Sequence, residues 1–189
     1  MSINLIKRYP QIKPISIVIL SVLILDQVTK YLARIFLQPK HSIAVLDNFF
    51  RLTYVENPGI AFGVRINNKV FFTILTIFAV ILIFYYLFML REQKILRFAF
   101  ALILGGAFGN LIDRFIYGSV VDFFDFEFFN IHIPPFKFLF FQFGGYTMDR
   151  WPVFNIADSA VTIGMILIII NAIWGKSTEN KPDAIPENN

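Results

Sequence analysis

Apolar residues gather into four long runs, at about 15–37, 70–90, 96–115 and 153–174. Each is close to the roughly 20 mostly apolar residues that carry a helix across a bilayer, so the pattern predicts four transmembrane helices. Between the first two runs the pattern changes. Residues 38–69 include "FFRLTYVENPGIAFGVRI", which mixes β-branched and aromatic residues with Asn-Pro-Gly punctuation and predicts short strands and turns. Residues 118–152 hold twelve aromatics, among them a single Trp. Two readings of this loop stay open: a segment lying on or dipping into the outer leaflet, where such side chains settle, or a self-packed aromatic cap over the bundle. The expected fold is an all-α integral membrane protein of four helices, with a small extracytoplasmic β-rich segment and an aromatic outer loop. One membrane-embedded domain would cover 1–175, and the polar tail 176–189 would be disordered and cytoplasmic.

Lys7, Arg8 and Lys13 precede the first run, as they would in a secretory signal. The run continues past Leu25 and no small-x-small cleavage site follows it, so it predicts an uncleaved anchor. Charge then orients the bundle. Lys7, Arg8, Lys13, Arg91, Lys94, Arg97, Lys176 and Lys181 cluster beside helix ends on one side, against Lys40, Arg51, Arg65, Lys69, Lys137 and Arg150 on the other. The clustering places both termini in the cytoplasm. Composition agrees with a membrane protein: 57% of the 189 residues are hydrophobic and 16% charged, where soluble domains carry about 25% charge. With no cysteine, disulfides, thiolate nucleophiles and zinc–cysteine sites are excluded. The net charge of +4 reflects membrane flanks, and no basic–aromatic repeat calls for nucleic acid.

The informative residues are the polar ones inside the apolar runs, where a charge is costly and marks function or a partner. Asp26 and Lys30 are four apart in the favoured acid-first order. They must face the bundle, as a packing pair or as a direct participant. In "GGAFGNLIDRF", Gly105 and Gly109 form a close-approach face, while Asn110 and Arg114 share another stripe beside Asp113. The amide and guanidinium suit a peptide carbonyl, although Arg114 would also serve as a snorkelling anchor. Asp122 follows the helix terminator Gly118, and Asp158 falls five residues, about 7–8 Å, inside the start of the fourth run. Antiparallel neighbours would bring both carboxylates to one depth near the outer face, with Asn155 beside Asp158. Two adjacent carboxylates share a proton and titrate as a unit. That suits an aspartic protease and equally a proton-coupled membrane transporter.

Five blocks separate these readings: "DQVTKYLA" (26–33), "VENPGIAFG" (55–63), "GGAFGNLIDR" (105–114), "GSVVDFFDF" (118–126) and "FNIADSAVTIG" (154–164). In this order they resemble the lipoprotein signal peptidases (signal peptidase II). The resemblance implies a four-helix aspartyl endopeptidase of the bacterial inner membrane. Its substrates would be prolipoproteins carrying a diacylglyceryl group, cut just before the lipidated cysteine, and globomycin-type cyclic peptides would inhibit it. It implies Asp122 and Asp158 as the catalytic dyad, Asn57, Asn110, Arg114 and Asn155 as residues of the substrate cleft, and Asp26 and Lys30 as a supporting pair, with no metal and no cofactor. Residues 127–150 depart from the family pattern as an insertion in the outer loop, and His41 and His132 lie outside every block.

Overall fold

A computed structural model describes residues 12–61, 64–65, 69–89, 93–138 and 141–174. The expectations for the N-terminal arm, the turn at 90–92 and the tail lie outside them. Four helices form: α1 (Ile12–Phe36), α2 (Lys69–Met89), α3 (Lys94–Tyr117) and α4 (Ile156–Trp174). Three of them, α1, α3 and α4, are long and apolar enough to cross a membrane, while the described apolar stretch of α2 is the shorter Thr73–Leu87. The outside of the bundle is apolar and its interior partly charged. Leu20, Ile24, Ile81, Ile166 and Ile173 are exposed, whereas Asp26, Lys30, Asp113 and Asn155 are fully enclosed. That inversion is what a lipid solvent selects.

Small residues set the packing. A Cβ on Gly105 would lie 2.8 Å from the Val22 Cβ of α1. One on Gly106 would collide with the Ala157 carbonyl of α4, and one on Gly109 with the Asp26 carboxylate. The glycine run of α3 therefore holds helices on two sides, α1 through Gly105 and Gly109 and α4 through Gly106. Gly118 ends α3 at φ 75°, its N–H bonded to the Arg114 carbonyl at 3.1 Å, the left-handed cap that glycine takes without penalty.

The chain is not purely α. β1 (Ser42–Leu46), β2 (Phe50–Asn57) and β5 (Val120–Phe126) form an antiparallel sheet in the order β1-β2-β5. The short pair β3 (Ile60–Ala61) and β4 (Val64–Arg65) follows β2. "VVDFFDF" thus forms a sheet strand directly after the α3 cap, and Asp122 is paired with Val55. The described residues between 127 and 150 also hold β structure. β6 (Ile131–Ile133) pairs with β9 (Tyr146–Met148), and β7 (Phe136–Phe138) pairs with β8 (Phe141–Phe143), nested as one long hairpin.

Candidate active site

The site is assembled where the β1-β2-β5 sheet meets the start of α4. Sequence periodicity begins the fourth helix at Val153, but α4 begins at Ile156. The reason is strand pairing: Phe154 N–H donates to the Phe124 carbonyl at 3.1 Å, and the Phe154 carbonyl accepts from the N–H groups of Phe123 (3.1 Å) and Phe124 (2.8 Å). Apolar Val153 and Phe154 therefore belong to the approach to the sheet. The next residue, Asn155, becomes the helix cap. Its Oδ1 accepts from the Asp158 N–H at 2.9 Å, and the Asp158 Oδ2 accepts from the Asn155 N–H at 3.3 Å. This is the reciprocal arrangement of a capping box built from Asn and Asp. Asp158 consequently lies in the first turn of α4, at its positive end, rather than well inside a longer helix.

The same Asn155 joins the second carboxylate. Its Nδ2 donates to Asp122 Oδ1 at 2.7 Å and reaches the Val121 carbonyl at 3.2 Å. Asp122 Oδ2 accepts from Asn57 Nδ2 at 3.1 Å. Asp122 is only 2% exposed, and burial, with the neighbouring Asp158 charge second, pushes its carboxyl up to about 7, against the lowering influence of the Asn57 and Asn155 amides. Asp158 Oδ1 accepts from Asn110 Nδ2 at 2.8 Å. Asn110 in turn is oriented by Lys30, whose Nζ donates to Asn110 Oδ1 at 2.8 Å. A lysine can only donate, so the Asn110 carbonyl must face it and the amide NH₂ must face Asp158.

Behind this layer lies a charged core. Lys30 and Asp26 pair at 2.8 Å with both side chains fully buried. Asp26 Oδ1 accepts the N–H of Ala157 at 3.0 Å, so a carboxylate of α1 satisfies one of the orphan donors in the first turn of α4. Asp113 lies 3.6 Å from Lys30 and 3.2 Å from Arg34, and its Oδ2 also accepts the Val121 N–H at 3.1 Å. The Arg34 guanidinium stacks 3.7 Å over the Tyr117 ring. Gln27 Nε2 ties Asp26 (3.1 Å) to the Gly109 carbonyl (3.1 Å). Sequence reasoning left Asp113, Gln27 and Arg34 out of the site. One signal existed for Asp113: it continues the Gly105–Gly109 face at the same spacing of four.

Asn57, Arg114, Asp122, Trp151, Asp158 and Thr162 line a cleft of about 560 Å³. Arg114 Nη1 reaches Thr76 Oγ1 of α2 at 3.4 Å. Of the six residues expected in the dyad and cleft, four (Asn57, Arg114, Asp122 and Asp158) face this space. Asn110 and Asn155 stand behind it with their amides taken up by the carboxylates. His132 lies away in the hairpin, 3.1 Å from Thr147 Oγ1.

A family model described as signal peptidase (SPase) II matches residues 18–174. The chain belongs to the signal peptidase II family. Proteins called lipoprotein signal peptidase are similar throughout. That of Moorella thermoacetica is 39% identical over 156 residues, covering 82% of this chain and 89% of its own. That of Caldanaerobacter subterraneus is 41% identical over 152 residues, covering 80% and 90%. A solved structure described as a bacterial membrane enzyme superposes with a TM-score of 0.69 at 32% identity, covering 92% of this chain and 96% of that one. A second so described gives 0.66 at 33% identity, covering 87% and 96%. Membership makes this a membrane-embedded peptidase of the bacterial inner membrane.

Proposed function

We propose that the protein is an intramembrane aspartyl endopeptidase that removes signal peptides from diacylglyceryl-modified prolipoproteins, cutting before the lipidated cysteine. The observation that carries this reading is Asn155. One side chain holds Asp122 while its backbone holds Asp158, so two carboxylates of different elements front one cleft. With its carboxyl up at about 7, Asp122 keeps the shared proton at neutral pH and below. Asp158 is the base. It takes a proton from water as the oxygen attacks the scissile carbonyl carbon, and Asp122 gives its proton to the carbonyl oxygen. In the collapse, Asp158 returns its proton to the leaving nitrogen while Asp122 recovers one from the hydroxyl, and the C–N bond breaks. Both carboxyls end as they began, and no metal or cofactor enters the cycle. Asn57 and Arg114 present donors to the peptide, Asn110 and Asn155 orient the dyad, and Asp26 with Lys30 supports it from behind.

In this reading α2 is the fourth crossing. Its 21 residues extend about 31 Å, the thickness of a hydrocarbon core. Both termini are cytoplasmic, the sheet and dyad lie at the outer face, and one domain spans 1–175. Globomycin-type peptides would occupy the cleft. The proton-transporter reading loses its footing with the family match.

The test is the purified protein in vesicles with a diacylglyceryl prolipoprotein. The expected outcome is a single cut before the lipidated cysteine, no cut of the unlipidated form, blockade by globomycin and indifference to EDTA. Chelator-sensitive cleavage restored by zinc, or ion transport without cleavage, would overturn the proposal.

A further inference from the structure

The inserted hairpin carries a two-sided pattern that the site does not use. In the distal ladder Phe136 pairs with Phe143 and Phe138 with Phe141, while Lys137 pairs with Gln142 between them. Alternation places Phe136 and Phe143 on one face of this ladder and Lys137 on the other. The Phe136 and Phe143 rings are 5.2 Å apart, a cross-strand aromatic pair. In the basal ladder the phase is reversed, with Ile131, Ile133, Tyr146 and Met148 opposite His132 and Thr147. The slip occurs at Pro134–Pro135 facing Gly144–Gly145. Continued straight across it, the two apolar faces point to opposite sides of the ribbon. On the basal face Ile131 and Met148 are half-buried while Ile133 and Tyr146 are exposed, and on the distal face Phe143 is half-buried while Phe136 remains 49% exposed. A two-stranded ribbon that leaves such an aromatic ring exposed is marginal in water.

Two observations say what covers it. The hairpin rises from an exposed aromatic cluster, Phe128 and Phe129 with rings 6.2 and 6.4 Å from Trp151, at the end of the bundle where α3 finishes with exposed Phe115 and Ile116. The apolar surface is thus continuous in kind with the lipid-facing belt of the helices. Between Phe128 and Met148 the sole Asp, Glu, Lys or Arg is Lys137. It is exposed and set on the polar face, where a lysine stem reaches back to anionic phosphates.

We propose that the distal ladder lies in the membrane interface at the site end of the bundle, with Phe136 and Phe143 in the acyl region and Lys137 among lipid phosphates. From Ile131 to Phe138 the arm extends about 23 Å, enough to lie along the leaflet beside the cleft. The proposal rests on the membrane-embedded helices and does not depend on the peptidase reading.

The chain contains no cysteine, so single-cysteine variants label one position each. Full-length Phe136→Cys, Phe143→Cys, Lys137→Cys and Gln142→Cys are labelled with an environment-sensitive fluorophore and placed in phosphatidylethanolamine/phosphatidylglycerol vesicles with or without brominated acyl chains. The expected result alternates. The labels at 136 and 143 shift to the blue and lose most of their emission to bromolipid, while those at 137 and 142 remain aqueous and unquenched. Three results would overturn the proposal: four aqueous labels, blue-shifted labels that bromolipid does not quench, as in packing on the bundle, or a shift that vanishes on dilution of protein in lipid, as in pairing with a second copy. Two variants on each face keep the alternation readable if one replacement fails to insert.

Discussion

At the scale of single residues, the proposed dyad is asymmetric and its asymmetry is testable through pH. The folded carboxyl of Asp122 stands near 7 against an ordinary 3.8. Its contribution to stability is complete below the ordinary value, where folded and unfolded chains both hold the proton, and is lost as pH rises through about 7, where the folded chain must ionise a buried group. Activity that needs this proton falls over the same alkaline window. Asp122→Asn is expected to abolish cleavage and also to flatten the difference in Tm between pH 5 and pH 8, measured on inserted protein. A variant with normal turnover would remove Asp122 from the chemistry. Arg114 separates binding from anchoring. Arg114→Lys keeps charge and reach but loses the planar fork of donors. A hydrogen bond from a charged donor is worth about 1.5–3 kcal/mol, so cleavage efficiency is expected to drop roughly 10- to 100-fold, with globomycin affinity reduced in parallel. Unchanged values for both would make Arg114 an interfacial anchor. Within one helix these residues were legible in advance: Asp26 with Lys30 and Asn155 with Asp158 sit at helical spacings in otherwise apolar runs. Across elements, the approach of Asp122 to Asp158 was the one partnership anticipated, and the supporting contacts were not. Asp26 meets Ala157 across 131 positions and Gln27 meets Gly109 across 82, and contacts of that range leave no periodic trace.

At the scale of elements, the register between α3 and α4 is set by the absence of a side chain at Gly106. A methyl there meets the backbone carbonyl of Ala157 and lies 2.9 Å from Val161 Cγ2. Overpacking of this kind costs about 1–3 kcal/mol. Because the displaced carbonyl neighbours Asp158, Gly106→Ala is expected to lower Tm and to reduce turnover further than the fall in folded protein explains. Gly144→Ala is the control, since its Cβ would meet nothing within 4 Å, and it should leave both unchanged. Equal losses in the two variants would show that Gly106 matters only as a glycine. The four helices themselves were readable from apolar periodicity, with ends within three residues of those observed. What the pattern misplaced was the start of α4, because Val153 and Phe154 are as apolar as a membrane helix requires yet spend their backbone on Phe124. The insertion was readable only as aromatic, because its short ladders are broken by Pro134–Pro135 and Gly144–Gly145 before alternation can accumulate.

At the scale of the whole molecule, the base of the inserted arm is fixed by Arg150. It pairs with Asp125 at 2.6 Å and Glu127 at 2.8 Å and donates to the Asn48 carbonyl at 2.8 Å, joining the arm to the edge of the strand that bears Asp122. The linkage is thus made at the root of the arm, beside β5. The capping of α4 by Asn155 has another consequence, one of timing. A nascent chain that has emerged only through Phe126 possesses Asp122 and the Asn57 amide but neither the Asn155 amide nor the second carboxylate. α4 cannot close its first turn against the sheet without also completing the site. On the peptidase reading, hydrolytic competence therefore arrives only with α4, and a chain that lacks it has no means of cutting its neighbours in the translocation machinery.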